Sequence, residues 1–424
     1  MANRRKFIKN MACLGAGFTV LPALANEFEK FENLEINSVK SASNEEEYWE
    51  TIQRAFIPSE EIINLNSGGV SSHPIRVMQA VQNNTVMSNK APSYYMWRVL
   101  EKQRDDVRNQ LAAIAGCTPE EIAINRNTTE GLGTVFHGVN LKAGDEVVHS
   151  NFVYPNMIQS LKMKSKREGW VLKEAKLSLP STDAKALVDA FLAAFTSKTR
   201  LVLIEHVVNW TGQVMPVAEI AREARKRNIL VVVDGAHSFG QFPFSIPDLG
   251  CDFFATSLHK WMCAPFGTGM LYVKQDKIAG LWPLFPSPEP ESEDIRKFEA
   301  LGTRNIPLEL GIAEAISFHT EIDGTRKFQR LLYLRNYWVN ALKLTPKIKF
   351  HSPDKEPFMS ALVTVSIEGK SGSELANILQ EGFKIHVTNI NVEGIDGIRV
   401  TPNIYTSIED LNTLVTALKR LAQS

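Results

Sequence analysis

Two short stretches decide the fold. The first is Val231-Val232-Val233-Asp234-Gly235-Ala236-His237. The second is Ser257-Leu258-His259-Lys260-Trp261, which runs on into Ala264-Pro265-Phe266-Gly267-Thr268-Gly269. A β-branched apolar run bounded by a turn glycine reads as a buried strand, and here it ends in a carboxylate. Burying that charge is costly without a cationic or proton-bearing partner. Taken alone, Asp234 serves equally well as a cap on the following turn. A lone lysine is ordinarily a solvated surface charge. Lys260 instead follows a serine and a histidine and precedes a glycine-rich turn, the surroundings expected of a Schiff-base lysine with phosphate donors beside it.

Outward from these stretches, short β-branched runs alternate with helical text. Strands are expected at 122–125, 146–149, 170–174, 201–204, 229–233, 251–255 and 270–273, and helices at 129–139, 156–167, 183–194 and 217–227. Strands separated by helices imply a mainly parallel sheet covered on both faces. Ligands of such sheets bind beyond the carboxyl ends of the strands. Upstream, Trp97, Leu100, Val107, Leu111 and Ile114 recur at helical spacing, so a helix is expected from 97 to 115, stopping at Gly116. Past about Gly311 the order changes to long helical text, a strand at 361–367, a helix at 372–380, a hairpin-like stretch at 384–400 and a final helix from Ile408. The expected organisation is a leader over 1–25, an N-terminal arm over 26–75, a large domain over 76–310 and a smaller α+β domain over 311–424.

Asn127-Thr128-Thr129-Glu130-Gly131-Leu132-Gly133 opens a helix after a strand. Backbone N–H groups and hydroxyls at such a helix start suit a phosphate, although an N-cap with an acid in the first turn needs no ligand.

The chain of 424 residues has 47 basic and 47 acidic residues. This balance excludes the basic excess typical of nucleic-acid binders. It is unevenly spread, because Arg4, Arg5, Lys6 and Lys9 precede any acid and the rest of the chain is slightly acidic. Asn3-Arg4-Arg5-Lys6-Phe7-Ile8-Lys9 resembles the twin-arginine export motif of bacteria. The uncharged stretch that follows is too short to span a bilayer and ends in Ala23-Leu24-Ala25. We therefore expect a cleavable leader handled by the twin-arginine export machinery, a mature protein in the periplasm and no permanent membrane anchor. The competing reading is an amphipathic N-terminal helix. No Cys-x-x-Cys pair points to a metal.

Asp-Gly-Ala-His about two dozen residues before Ser-x-His-Lys, with an upstream Thr-Thr-Glu-Gly, resembles the class V aminotransferase family of pyridoxal 5'-phosphate (PLP) enzymes, from about Asn64 to the C-terminus. The resemblance implies an α/β chain of fold type I, with a mainly parallel seven-stranded sheet between helices and a smaller C-terminal α+β domain. It implies that Lys260 carries the cofactor, that Asp234 pairs with its ring nitrogen and that Tyr154 stacks on its ring. Thr128, Thr129, Ser257 and His259 would hold the phosphate, and Asn209 and His237 would approach the ring hydroxyl. Arg399 would clamp a substrate carboxylate beside the loop of Asn66 and Gly68. Leu301-Gly302-Thr303-Arg304 matches a turn that reaches the neighbouring subunit's site, which implies a homodimer with Thr303 at the shared site. The bland readings are a packed aromatic for Tyr154, a turn former for Asn209, a rim charge for Arg399, structural histidines at His149 and His206, and a buried thiol at Cys263.

One departure limits the chemistry. Cysteine desulfurases of this family carry a catalytic cysteine before the carboxylate-binding arginine, and residues 382–400 contain none. The expected activity is that of an aminotransferase or an isopenicillin N epimerase-like enzyme on an amino acid or a small amino substrate derived from one. The alternatives are a PLP-dependent C–S or β-lyase and a non-catalytic PLP-fold binding protein. A nucleotide-binding reductase is disfavoured, because no Gly-x-Gly-x-x-Gly follows a first strand.

Overall fold

The computed structural model describes residues 45–423. The expected leader and the first part of the arm lie outside the described residues. Seven strands form the central sheet: β1 (Ile122–Asn125), β2 (Glu146–Ser150), β3 (Val171–Ala175), β4 (Thr199–Glu205), β5 (Leu230–Asp234), β6 (Phe253–Ser257) and β7 (Gly269–Val273). Their order is β1-β7-β6-β5-β4-β2-β3. Strand β7 is antiparallel to both neighbours, and every other pair is parallel. The expected strands are all present, several shifted by one or two residues toward the carboxyl end. The shift matters, because it carries Asp234 and Ser257 into the strands themselves.

Helices α1 (Glu45–Arg54), α2 (Ile75–Lys90), α3 (Arg104–Ala115), α4 (Thr128–Gly138), α5 (Pro155–Glu168), α6 (Ala184–Ala194), α7 (Val217–Arg225) and α8 (Ile306–Ile322) accompany the sheet. Side chains alternate across a strand, so the sheet makes two cores. Val231, Val233, Val202 and Ile204 pack with α3, α6, α7 and α8 on one face. Val232, Leu201, Leu203 and Ala255 pack with α4 and α5 on the other. Continuing the alternation by one step places Glu205, Asp234 and Ser257 on the α4 side.

The stretch expected as one helix from 97 to 115 is broken. Tyr95–Leu100 is a π-helical turn and Glu101–Gln103 a 3-10 turn, with α3 following. The extra residue in the π turn throws the register off and leaves Trp97 half exposed. Gly116 ends α3 with φ +71°, a left-handed cap.

Helix α9 (Gly324–Leu342), α10 (Gly372–Phe383) and α11 (Ile408–Gln423) cover one face of a second sheet of β8 (Ile348–Phe350), β9 (Val363–Ile367), β10 (Thr388–Val392) and β11 (Ile395–Val400). Its order is β10-β11-β9-β8, antiparallel throughout. A boundary at 310 and 311 falls inside α8, whose Leu310, Ile312, Ala315 and Ile316 belong to the large-domain core. The described part of the arm is packed onto the small domain. Ile63–Asn64 pairs in parallel with Ile385–His386, and Leu65 is buried in the small-domain core. Upstream, Arg330 holds Glu46 of α1 at 2.7 Å through both terminal nitrogens.

One buried acid ties β1 to α3. Glu299 accepts from Arg108 at 2.6 Å, from the Ile124 N–H at 2.6 Å and pairs with Arg104 at 2.8 Å. Burial pushes its carboxyl up, but the Arg108 hydrogen bond and the two guanidinium charges outweigh burial and hold it below the ordinary 4.5. A carboxyl depressed in the folded state contributes stability above its unfolded value, and loses it as pH falls through the folded value. Glu299→Gln takes the carboxylate from buried Arg108 and leaves Arg104 with Glu309 alone, so we expect a loss of about 3 kcal/mol in urea unfolding at neutral pH. That difference from wild type should shrink at pH values below 4.5; a difference independent of pH would contradict the assignment.

Candidate active site

A cavity of about 240 Å³ opens at the carboxyl ends of β4, β5 and β6. Helix α4 points its first turn into it. Asn127 caps that helix by accepting the Glu130 N–H at 2.9 Å, and Glu130 reaches back to the Arg126 N–H at 2.7 Å. Gly131 lets the helix lie close to the sheet, since a Cβ there would stand 2.7 Å from the Ala255 Cβ. The Thr128 N–H donates to Ser257 Oγ at 3.0 Å, and the two hydroxyls are 2.8 Å apart. Thr128, Thr129, Ser257 and His259 line one end of the cavity. Helix N-terminal N–H groups with clustered hydroxyls form an anion site. His259 is oriented by its Nδ1, 3.0 Å from the Thr268 carbonyl.

Asp234 ends β5 in the cavity wall, and its Oδ1 accepts the Ala236 N–H at 2.9 Å. Burial raises its carboxyl above the ordinary value, against that N–H and the Lys260 charge. Lys260 sits in the turn after β6, with Nζ 3.4 Å from His237 Nε2. Burial lowers its ammonium to about 8, with Arg399 adding to the shift and Asp234 opposing it. His237 is buried and held well below its ordinary value, by burial first and then by the Lys260 and Arg399 charges, and its Nδ1 faces the Trp261 indole N–H at 3.4 Å. A neutral amine and a neutral imidazole are therefore both accessible here near neutral pH.

Arg399 reaches in from β11 of the small domain. It is only 6% exposed. It donates to the Asn209 carbonyl at 3.0 Å and to Asn66 Oδ1 at 3.1 Å, both neutral acceptors. Burial lowers it to about 10, with Tyr154 opposing, yet the guanidinium stays charged. Its Nε is buried without a partner, as is Asn209 Oδ1. A cation so placed is a ready receptor for a carboxylate.

The structure brings Lys260, Asp234, His237, Tyr154, Asn209, Thr128, Thr129, Ser257, His259, Gly68 and Arg399 to this one cavity. Asn66 is set behind the wall and acts on it through Arg399. Gly68 is held there because a Cβ would meet Thr401 at 3.0 Å and His237 at 3.4 Å. Thr303 lies on an exposed turn outside the cavity of its own chain. His206 is turned away, packed edge-on against Phe242 and Phe244, and Cys263 is a buried thiol 3.7 Å from the Asn403 amide. Met157 and Glu205 are among the lining residues that were not expected from the sequence. Glu205 had a signal: an acid at the end of Leu201-Val202-Leu203-Ile204 has the same pattern as Asp234 after its valines.

Residues 63–398 match the profile of the family described as Aminotransferase class-V. Isopenicillin N epimerase of Streptomyces clavuligerus is 28% identical over 390 residues, covering 88% of this chain and 98% of that one. A probable cysteine desulfurase of Synechocystis sp. is 29% identical over 295 residues, covering 66% and 69%. Solved structures of a cystine C-S lyase share the fold. Its complex with the product cysteine persulfide has a TM-score of 0.77 at 24% identity, covering 85% of this chain and 98% of that one. A variant of it with glycine covalently linked to the PLP cofactor has 0.75 at 23% identity, covering 85% and 97%. The architecture is that of the PLP-dependent fold type I enzymes, and the cofactor is pyridoxal 5'-phosphate. With its motifs gathered at the strand ends of that fold, the chain belongs to the aminotransferase class-V family of PLP-dependent enzymes.

Proposed function

We propose that this protein is an aminotransferase or an isopenicillin N epimerase-like enzyme that acts at the Cα–H bond of an amino acid or a substrate derived from one. The observation that carries this reading is a single cavity holding Lys260, Asp234 and a buried Arg399 whose protein partners are all neutral. The epimerase side is supported by likeness to an isopenicillin N epimerase along nearly the whole of that chain. Persulfide chemistry of the desulfurase kind lacks its cysteine between 382 and 400.

The donor set fits the cofactor. Asp234 would hold the ring nitrogen, and the first turn of α4 with Thr128, Thr129, Ser257 and His259 the phosphate. Asn209, with a buried Oδ1 that lacks a partner, and His237 would meet the ring hydroxyl, Tyr154 the ring face, and Lys260 the reactive carbon. When bound, PLP supplies an electron sink for the bond broken at the substrate Cα. The chain does the rest. Lys260, with its ammonium lowered to about 8, takes and returns the Cα proton at Nζ near neutral pH. Arg399 binds the substrate carboxylate and orients the scissile bond. His237 lies beside Nζ, and burial with the nearby cations makes it too weak a base to compete for the proton.

We further propose that the protein works as a homodimer in which the Thr303 turn completes the neighbouring site, and that it is exported to the periplasm through the twin-arginine pathway. The exposed position of Thr303 and the Arg4-Arg5 leader support these readings.

Lys260→Ala should bind PLP without fixing it. Borohydride treatment then adds the cofactor mass to wild type only, and turnover falls about 10²–10⁴-fold. A variant that still fixes PLP would sink the assignment. Arg399→Ala should raise KM for carboxylate substrates roughly 10²-fold, with a smaller change for their amides; equal effects on both would refute the clamp. Replacing Arg4 and Arg5 together with lysine should retain the full-length chain in the cytoplasm, as read by fractionation; unchanged export would reject the twin-arginine route.

A further inference from the structure

Glu205 ends β4 as Asp234 ends β5, and the two residues are register partners on neighbouring parallel strands. Side-chain alternation aims both to the α4 face, and both line the cavity. The sheet order β6-β5-β4 sets Ser257 and the anion site on one side of Asp234 and Glu205 on the other. Glu205 is 2% exposed. Its Oε2 accepts the Ser150 hydroxyl at 2.9 Å, while its Oε1 is buried with no partner.

An ionised carboxylate so placed, with one side-chain hydroxyl for company and another carboxylate beside it, is costly. The neutral acid removes that cost and turns an oxygen without a partner into a donor. The charged and titratable groups that line the same cavity are Asp234 from β5, His237, His259 and Lys260 from the turns after β5 and β6, Tyr154 before α5 and Arg399 from β11; on β2, His149 Nδ1 is engaged by the Ser150 carbonyl. Among them Asp234 acts on it directly. Burial together with the Asp234 charge pushes the Glu205 carboxyl up to about 7, against its own backbone N–H and Ser150.

We propose that Glu205 is a positioning residue at the Asp234 end of the site: carried as the neutral acid, it donates its O–H toward the Asp234 carboxylate and so governs how firmly that carboxylate holds the proton of the cofactor's ring nitrogen. The inference rests on the cofactor placement proposed above. When Glu205 loses its proton, a hydrogen-bond donor is replaced by a second negative charge beside Asp234, and the ring-nitrogen proton is held more tightly.

The test is the visible absorption of the PLP-loaded enzyme followed across neutral pH. Wild type should show a transition with a midpoint of about 7. Glu205→Gln, which keeps a neutral donor at every pH, should lack it and resemble wild type on the acid side. Ser150→Ala removes a donor that favours the ionised form, so the midpoint should move upward. Either a wild type without the transition, a Glu205→Gln enzyme that keeps it, or a Ser150→Ala enzyme with an unmoved midpoint overturns the proposal. If Glu205→Gln fails to fold, the wild-type and Ser150→Ala titrations still decide. A wild-type chain that takes up no PLP overturns the cofactor placement itself, and this inference with it; loss confined to the titration overturns this inference alone.

Discussion

The structure is organised around charged groups held in a cavity where none of them is fully neutralised by protein. Asp234 and Lys260 come from adjacent strand ends, and Arg399 crosses from the other domain onto neutral oxygens. Each is displaced from its ordinary protonation behaviour by burial. In a low-dielectric site such charges interact strongly with whatever enters. The remaining architecture keeps them in place.

That support comes from several directions. The Lys260 turn is anchored from below by Lys327 of α9, a buried lysine whose Nζ donates to the Trp261 carbonyl. It is anchored from above by the Ser71 N–H, which donates to the His259 carbonyl at 3.0 Å. The segment of Ile63 to Gly69 links the two domains. It joins the small domain through Ile385–His386 and Thr401, and supplies Asn66 to Arg399 and Gly68 to the cavity. Any shift of the small domain therefore moves Arg399 and the loop beside it together.

Much of this was legible in the residues. The alternation of β-branched runs with helical text gave the large sheet, because a strand buried on both faces must be apolar almost throughout. Asp234, Lys260 and the Thr128 helix start stood out as polar groups at the ends of such runs. What failed was tied to particular positions. The π turn at Tyr95–Leu100 breaks a spacing that looked continuous, and α8 joins the large-domain core although its text resembles that of the helices after it. Glu205 escaped because its strand was ended one residue early.

By itself, the sequence determined the strand periodicity, the family motifs in their order and the missing cysteine before Arg399, since each of these is a local property of residue type and spacing. Only the tertiary structure decided that Glu205 and Asp234 are neighbours and that Arg399 rests on Asn209 and Asn66. It alone paired the end of the arm, Ile63–Asn64, with Ile385–His386 of the small domain. Those pairings join residues that are far apart in the chain. They are set by sheet order and register, which arise when apolar faces are buried together and are written in no single stretch of residues.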